Sequence, residues 1–379
     1  MTSDGRVMIV GAGIGGLTAA VALERAGREV VVFERMDSLK EVGAGFTMNS
    51  NAVTAIRELG LDKQVEQGGA ELNRFVHHKR DGKLLAEWPT GQISVNVGAP
   101  IVGIGRPDVQ RLLAGSLGNV EIRYGHEFTG LEQDGGGVTA RFANGAEERG
   151  AALIGADGSA STVRTLFDRT ERRYSGYTTW LAFADFTDFP EGTHAQWYGK
   201  RTILGAHPIG GGRTYWYAGL TAPPGGRDED KKQAVLDVFG DWAQPVPALL
   251  EATDPRNIAR SDIYDLPRRE SWGAGRVTLL GDAAHPMVPA LGQGACQAIE
   301  DGVILGRMLG SADADAAALK AYEKKRIERT APIFNRARMQ GKLMQGENPA
   351  MEVVRANFFR FAPKKQVLKG FEEFLTFEG

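Results

Sequence analysis

Val7-Met8-Ile9-Val10-Gly11-Ala12-Gly13-Ile14-Gly15-Gly16 is a short apolar run broken by a glycine turn, and the residues that follow, Leu17 to Ala26, place Leu17, Ala20, Val21 and Leu23 at helical spacing. Strand, glycine turn and helix in that order open a dinucleotide-binding unit. Gly11 permits the tight turn, Gly13 lets a pyrophosphate approach the backbone, and Gly16 lets the helix pack on the sheet, with Ile14 and Gly15 completing the cradle. The helix N-terminus adds unpaired N–H groups and the positive end of its dipole. A second apolar run, Val30 to Phe33, leads to Glu34, about 20 residues on, where a carboxylate accepts bonds from a ribose 2′-OH. Arg35 is adjacent, but the acid at Glu34 disfavours a 2′-phosphate.

Nearly a whole chain later stands Leu279-Leu280-Gly281-Asp282-Ala283-Ala284-His285-Pro286. Val277 to Gly281 is apolar but for Thr278, as a buried strand can be, and Asp282 lies just past its end, where ligands bind in open α/β sheets. Asp282 reads as the partner of a sugar-type hydroxyl, although an aspartate before a helix is also an ordinary cap. Pro286, Pro289 and Gly292-Gln293-Gly294 keep the backbone close to a flat ring, and Ala295 to Met308 reads as a helix whose N-terminus faces it. One cofactor is expected to gather both signatures. His285, between apolar residues and a proline, reads as a structural histidine.

The rest of the composition narrows the class. At 379 residues with 42% hydrophobic content the chain supports two intimately joined domains with a full core. A net charge of −2 gives no electrostatic reason to expect nucleic acid or an anionic membrane as partner. Neither a secretory signal nor a run of ~18 apolar residues is present, so a soluble, cytoplasmic protein with no integral membrane segment is expected, as monomer or homodimer. Cys296 is the one cysteine, which excludes an intrachain disulfide and a CxxC redox centre. No Cys/His cluster has metal-ligand spacing, so no metal is expected.

Pattern places the elements. Pro107 to Leu117 reads as a helix after a strand ending near Gly105; Val138 to Phe142, the turn Asn144-Gly145 and the run toward Ile154 read as a β-hairpin. From about residue 174 to 271 the texture changes to aromatic-rich alternating runs such as Thr214-Tyr215-Trp216-Tyr217-Ala218. The fold class expected is α/β: a Rossmann-like domain from residues 1–73, 98–173 and 272–345, an inserted mixed or antiparallel sheet domain from 74–97 and 174–271, and a C-terminal helical segment over 346–379. In that tail Val353, Phe358, Phe361, Phe371 and Phe374 are expected to cover an apolar surface.

Taken together these motifs resemble the group A flavoprotein monooxygenases, the FAD-dependent aromatic hydroxylases. Besides the opening glycine turn, the pattern is matched by Gly43-Ala44-Gly45 with Asn51, by Arg106 with Leu112, by Gly155-Ala156-Asp157-Gly158 with Ser161 and Arg164, and by Gly281-Asp282 through Gly294. The resemblance implies FAD as cofactor, with Gly45, Arg106, Asp157, Asp282, Pro289, Gly292, Gly294 and Ala295 joining the first glycine turn, Glu34 and Arg35 in holding it; Gln110 is a further candidate. Phe46, Thr47 and Met48 would lie on a loop that carries a mobile flavin, with Gly43 and Gly45 giving it freedom. There is one dinucleotide fingerprint, so NADH or NADPH is expected as a transient co-substrate.

The implied reaction is hydroxylation of a small aromatic or heteroaromatic substrate by O2 through a flavin C4a-hydroperoxide, the protein excluding water and activating the ring. Tyr215, His207 and Arg201 are the candidate catalytic residues, with Arg213 beside them. Tyr215 and Tyr217 should share one strand face while Trp216 points to the other. The rival readings are an FAD-dependent reductase or dehydrogenase, and an epoxidase acting on a larger secondary metabolite.

Overall fold

A computed structural model describes residues 5–39, 44–310, 314–345, 354, 357–359 and 361–379; Gly43 and Val353 lie outside the described residues. The opening stretch folds as the strand Val7–Val10, the helix Ile14–Arg25 and the strand Val30–Phe33. These sit at the middle of a five-stranded parallel sheet in the order Val277–Leu279, Ala152–Gly155, Val7–Val10, Val30–Phe33, Glu121–Arg123. The central strands are apolar because both faces of a parallel sheet are covered; Met8, Ile9, Val32 and Leu153 are fully buried.

The helix Gly294–Gly310 closes onto Ile14–Arg25. Gly302, Gly306 and Gly310 recur every fourth residue and share a face. A Cβ on Gly302 would stand 2.7 Å from the Ala19 nitrogen, and one on Gly306 2.5 Å from Ala22 Cβ. Those missing side chains let the two backbones meet, and they draw the late nucleotide signature onto the early one.

The second large sheet is mixed and seven-stranded, in the order Ala259–Asp265, Arg173–Asp185, Arg213–Thr221, Thr202–Pro208, Thr193–Tyr198, Arg74–Lys79, Leu84–Trp88. The early excursion therefore supplies its edge, pairing Arg74–Lys79 in parallel with Thr193–Tyr198. Alternation separates the faces. Trp180, Ala182, Trp197, Ala206, Trp216 and Ala218 are buried under the helices Lys231–Phe239 and Val246–Glu251, whose Val235, Phe239 and Leu249 complete that core. The opposite, inner face carries Phe75, Leu181, Phe183, His194, Gln196 and Tyr217, all half-buried.

Two expectations are corrected. Gly45–Met48 is no loop: it is a strand, antiparallel to Val102–Gly105 in a small three-stranded sheet. Gly45 has no left-handed φ, and a Cβ there would lie 2.7 Å from Ile209 Cγ2 and 2.8 Å from Tyr215 Cβ, so close approach and not freedom demands the glycine. The run expected to continue the hairpin to Ile154 divides, because Glu147–Gly150 pairs back on Val138–Phe142 while Ala152–Gly155 enters the parallel sheet.

In the tail, Phe374 and Leu375 of the helix Lys364–Leu375 are buried with Leu72, Ile93 and Ile333, while Phe358, Phe359 and Phe371 pack on Trp88 at the edge of the mixed sheet. Phe361 departs from the expectation and is 66% exposed. No helix among the described residues is long and apolar enough to cross a membrane.

Candidate active site

The glycine turn has the geometry of a phosphate cradle. Gly11 adopts φ +111° with its α-carbon pressed on the next strand end, where a Cβ would lie 2.4 Å from the Ala156 carbonyl oxygen. Gly16 is pinned equally, since a Cβ there would lie 2.0 Å from the Gly11 oxygen, while a Cβ on Gly13 would meet nothing within 4 Å. That open space in front of a helix N-terminus is what a pyrophosphate fills. Gly15 packs on Leu280 and Ala298, so the cradle touches the Gly281-Asp282 segment directly.

Glu34 is positioned for its task by two backbone donors: Ala12 N–H to Oε2 at 2.9 Å and Met36 N–H to Oε1 at 3.0 Å. A cleft of about 210 Å³ opens beside it, lined by Gly13, Ile14, Glu34, Met36, Arg106 and Gln110 among others. Gln110 donates to the Ala12 carbonyl at 2.8 Å and so braces the turn. Arg106 begins the helix Arg106–Gly115 and is exposed at the cleft; Arg35 is exposed beyond it. These residues fit a dinucleotide.

At the other signature Asp282 is exposed and makes no hydrogen bond among the described residues, with Oδ1 3.7 Å from where a Cβ on Gly294 would stand. Pro289–Leu291 forms one 3-10 turn, Gly292 takes φ +63°, and Gly294 and Ala295 begin the long helix. The backbone here is held from behind by a buried ionic cluster. Asp301 accepts from the Gly281 N–H at 2.7 Å and contacts His285 Nε2 at 2.7 Å, and Arg326 donates to Asp301 at 2.5 Å and to Glu300 at 2.8 Å. Burial opposes ionisation, but the Arg326 guanidinium and the contacts with His285 and the Gly281 N–H outweigh it and hold the Asp301 carboxyl down to about 2. Glu300 also accepts from Asn51 at 2.6 Å. Nothing in the sequence pairs Asp301 with Arg326, which stands in a separate helix, Ala316–Gln345.

Asp157 caps the short helix after its strand, Oδ2 accepting from Thr162 and Val163 N–H. Its Oδ1, Arg164 Nε and Arg269 Nη1 are buried without hydrogen-bond partners among the described residues.

The sequence candidates for the substrate side separate. His207 and Tyr215 are cross-strand partners on the inner face, with rings 5.2 Å apart, and Tyr217 lies 5.9 Å from Tyr215 on the same face while Trp216 points away, as expected. Arg201 is not brought to them: it occupies the exposed turn at the far end of the same strand, roughly 20 Å along it at ~3.3 Å per residue. Arg213 pairs with Asp108 at 2.7 Å. His207 is fully buried, Nδ1 toward the Pro208 carbonyl at 3.0 Å and Nε2 toward Thr47 Oγ1 at 3.1 Å, and burial lowers its pKa to about 4. Burial raises the tyrosine hydroxyls far above their ordinary value, so both stay protonated. The reading of the sequence missed His194 and Gln196, though the alternation of Thr193–Tyr198 places them on this face.

Residues 4–337 match the FAD binding domain family. The chain belongs to that family, among the group A flavin monooxygenases. It is 39% identical to the aurachin C monooxygenase/isomerase of Stigmatella aurantiaca over 364 residues, covering 95% of each chain. It is 33% identical to the FAD-dependent urate hydroxylase of Klebsiella pneumoniae over 350 residues, covering 90% of this chain and 91% of that one. The crystal structure of Klebsiella pneumoniae HpxO complexed with FAD and uric acid superposes with a TM-score of 0.91 at 29% identity, covering 98% and 96% of the two chains. The chain is thus an FAD-dependent enzyme.

Proposed function

We propose that this chain is an FAD-dependent monooxygenase that hydroxylates a small aromatic or heteroaromatic substrate, with NAD(P)H as electron donor and O2 as co-substrate. The observation that carries the reading is the inner face of the mixed sheet. Phe75, Phe183, His194, Gln196 and Tyr217 stay half-buried there, and the buried row of His207 and Tyr215 abuts the strand Gly45–Met48 that borders the FAD site.

Bound FAD supplies electron transfer from the donor and activation of oxygen. The chain supplies the rest. Gly13 and the N-terminus of Ile14–Arg25 hold the pyrophosphate, Glu34 the adenosine ribose and Asp282 a ribityl hydroxyl. The aromatic wall of Phe75, Phe183, Tyr215 and Tyr217 receives the ring and excludes water. For a transient donor, Arg164 and its neighbour Arg269, each with one guanidinium nitrogen unpartnered among the described residues, supply cationic donors suited to phosphate oxygens.

The test is oxidation of NADH and of NADPH by the FAD-loaded protein over a panel of phenols, pyridinols, aromatic acids and purines, with hydroxylated product and peroxide measured together. A compound that accelerates oxidation and is recovered hydroxylated supports the reading. Oxidation that proceeds without oxygen uptake supports a reductase instead.

A further inference from the structure

His207 sits at the centre of the inner face, yet it has nothing left to offer a ligand: both its ring nitrogens are engaged, with the Pro208 carbonyl and with Thr47. Its cross-strand neighbours differ. His194 lies one step beyond the Ala195–Ala206 pair and so stands beside His207 on the next strand, ring to ring at 4.9 Å. Tyr215 stands on the other side at 5.2 Å. One row across three strands therefore reads His194, His207, Tyr215.

A hydrogen-bond chain behind this row sets which nitrogen of His194 carries the proton. Gln196 Oε1 accepts from the Tyr198 hydroxyl at 2.6 Å, and Gln196 Nε2 donates to the Tyr217 hydroxyl at 3.0 Å. Gln196 Nε2 can only donate, so His194 Nε2, 3.0 Å away, is the one acceptor within reach of the Tyr217 hydroxyl proton among the described residues, and the proton is assigned there. Nε2 is then the acceptor, and the neutral imidazole carries its hydrogen on Nδ1. Burial and the neighbouring histidines hold the ring neutral, well below the ordinary histidine value. Neither His194 Nδ1 nor the Tyr215 hydroxyl has a hydrogen-bond partner among the described residues, although Tyr215 is almost wholly buried and His194 half-buried. The two rows around them, Phe75, His194, His207, Tyr215, Phe183 and His77, Gln196, Gly205, Tyr217, Leu181, contain no carboxylate, lysine or arginine; at the Tyr215 end the Arg213 guanidinium, paired with Asp108, lies over Phe183, and the charge of Arg106 reaches Tyr215.

We propose that His194, through a fixed Nδ1–H, and Tyr215, through its hydroxyl, are the donors that seat a ring oxygen of the substrate, and that the substrate class is an oxo-heteroaromatic, a ring presenting a carbonyl-type acceptor. The proposal rests on the monooxygenase reading above and names the substrate chemistry of that same site. Two unfilled donors next to engaged acceptors select an acceptor group on the ligand, because a ligand without one leaves both buried donors unpaired. Tyr217 and Gln196 are positioning residues: they touch His194 and fix its tautomer.

The experiment is equilibrium binding to the oxidised, FAD-loaded protein, comparing 2-pyridone with pyridine and 4-quinolone with quinoline. Wild type is expected to favour the oxo member of at least one pair by about tenfold, the worth of one to two neutral hydrogen bonds. His194→Phe should remove most of that preference, leaving only what the Tyr215 hydroxyl supplies. His194→Asn, whose amide N–H falls where Nδ1–H was, should restore part of it, whereas His194→Gln, whose amide falls at the Nε2 position, should not. Flavin content and thermal midpoint report on folding of each variant. A wild type without preference in either pair, or a His194→Phe variant that keeps the full preference with normal flavin content, overturns the proposal. Because binding is measured without donor or turnover, a wild type that prefers the oxo probes but hydroxylates no compound of the broader panel would count against the monooxygenase reading and leave the role of His194 standing.

Discussion

Gly205 lies directly beneath the ring of Tyr217: a Cβ on Gly205 would stand 2.2 Å from Tyr217 Cζ and 2.3 Å from its hydroxyl oxygen. The two are cross-strand partners, and the missing side chain lets the tyrosine lie across the sheet to reach His194 and Gln196. Gly205→Ala is therefore expected to lift Tyr217 off the sheet and lower kcat/KM for hydroxylation by roughly 10- to 100-fold, as misplacement by about an ångström does. FAD affinity should be unchanged, since Gly205 touches no part of the cradle. Steady-state kinetics beside a flavin titration check this, and equal activity in the variant would show that Tyr217 has no part in the site.

Asp282 is the one carboxylate of the Gly281-Asp282 turn and points into the open, while its neighbour Asp301 is spent on Gly281, His285 and Arg326. Loss of its bond to a cofactor hydroxyl should weaken FAD by about 1–3 kcal/mol in Asp282→Ala. Fluorescence titration of the apoprotein with FAD measures it. Unchanged affinity would remove Asp282 from the FAD site.

Arg326 is fully buried between Glu300 and Asp301, both fully buried themselves. Removing the guanidinium in Arg326→Met leaves two carboxylates short of a partner in the core, with only Arg329 still near Glu300, and should cost about 3–5 kcal/mol of folding stability. Asp301 also holds the Gly281 N–H, so the loss of stability should come with weaker FAD retention. Denaturant unfolding with and without excess FAD separates the two effects. A variant as stable as the parent would show that the cluster contributes nothing.

What the sequence made legible was periodic or local. The glycine turn, the acid at its distance and the alternation of Thr214–Ala218 each state their geometry within a few residues, and each took the expected form. What escaped was relational. Gly45 belongs to a glycine-rich stretch and so read as a mobile loop, but its reason for being glycine is the approach of Ile209 and Tyr215, residues far along the chain. His207 drew attention as a histidine near a strand end, yet whether a histidine has a free nitrogen depends on partners as distant as Thr47. Arg201 is grouped with Tyr215 and His207 by the sequence, but it stands at the opposite end of the strand that carries His207. Asp301 and Arg326 show no local signal at all, because an ion pair between two helices has no period.

The buried histidines predict how stability depends on pH. His207 is held at about 4 and His77 at about 3, both chiefly by burial, and His194 lies well below the ordinary value of about 6.5. Below pH ~6.5 the unfolded chain takes up protons at these positions and the folded protein does not, so the unfolded state binds more protons and stability falls as pH falls. His207 and His77 each contribute about 1.4 kcal/mol per pH unit over the window from roughly 6.5 down toward their folded values, and His194 adds to the slope in the same direction. The carboxylates act lower. Asp301, held at about 2, keeps its contribution through this window and loses it only as the pH drops below the ordinary aspartate range. Thermal midpoints of the FAD-loaded protein should thus be level between pH 7 and 8 and drop steeply from pH 6.5 to 5. His77→Phe removes one titrating group from an aromatic surround of Phe75, Trp88 and Phe359 and should lessen that slope by about a third. A flat profile down to pH 5 in the parent protein would mean that these rings admit a proton without unfolding.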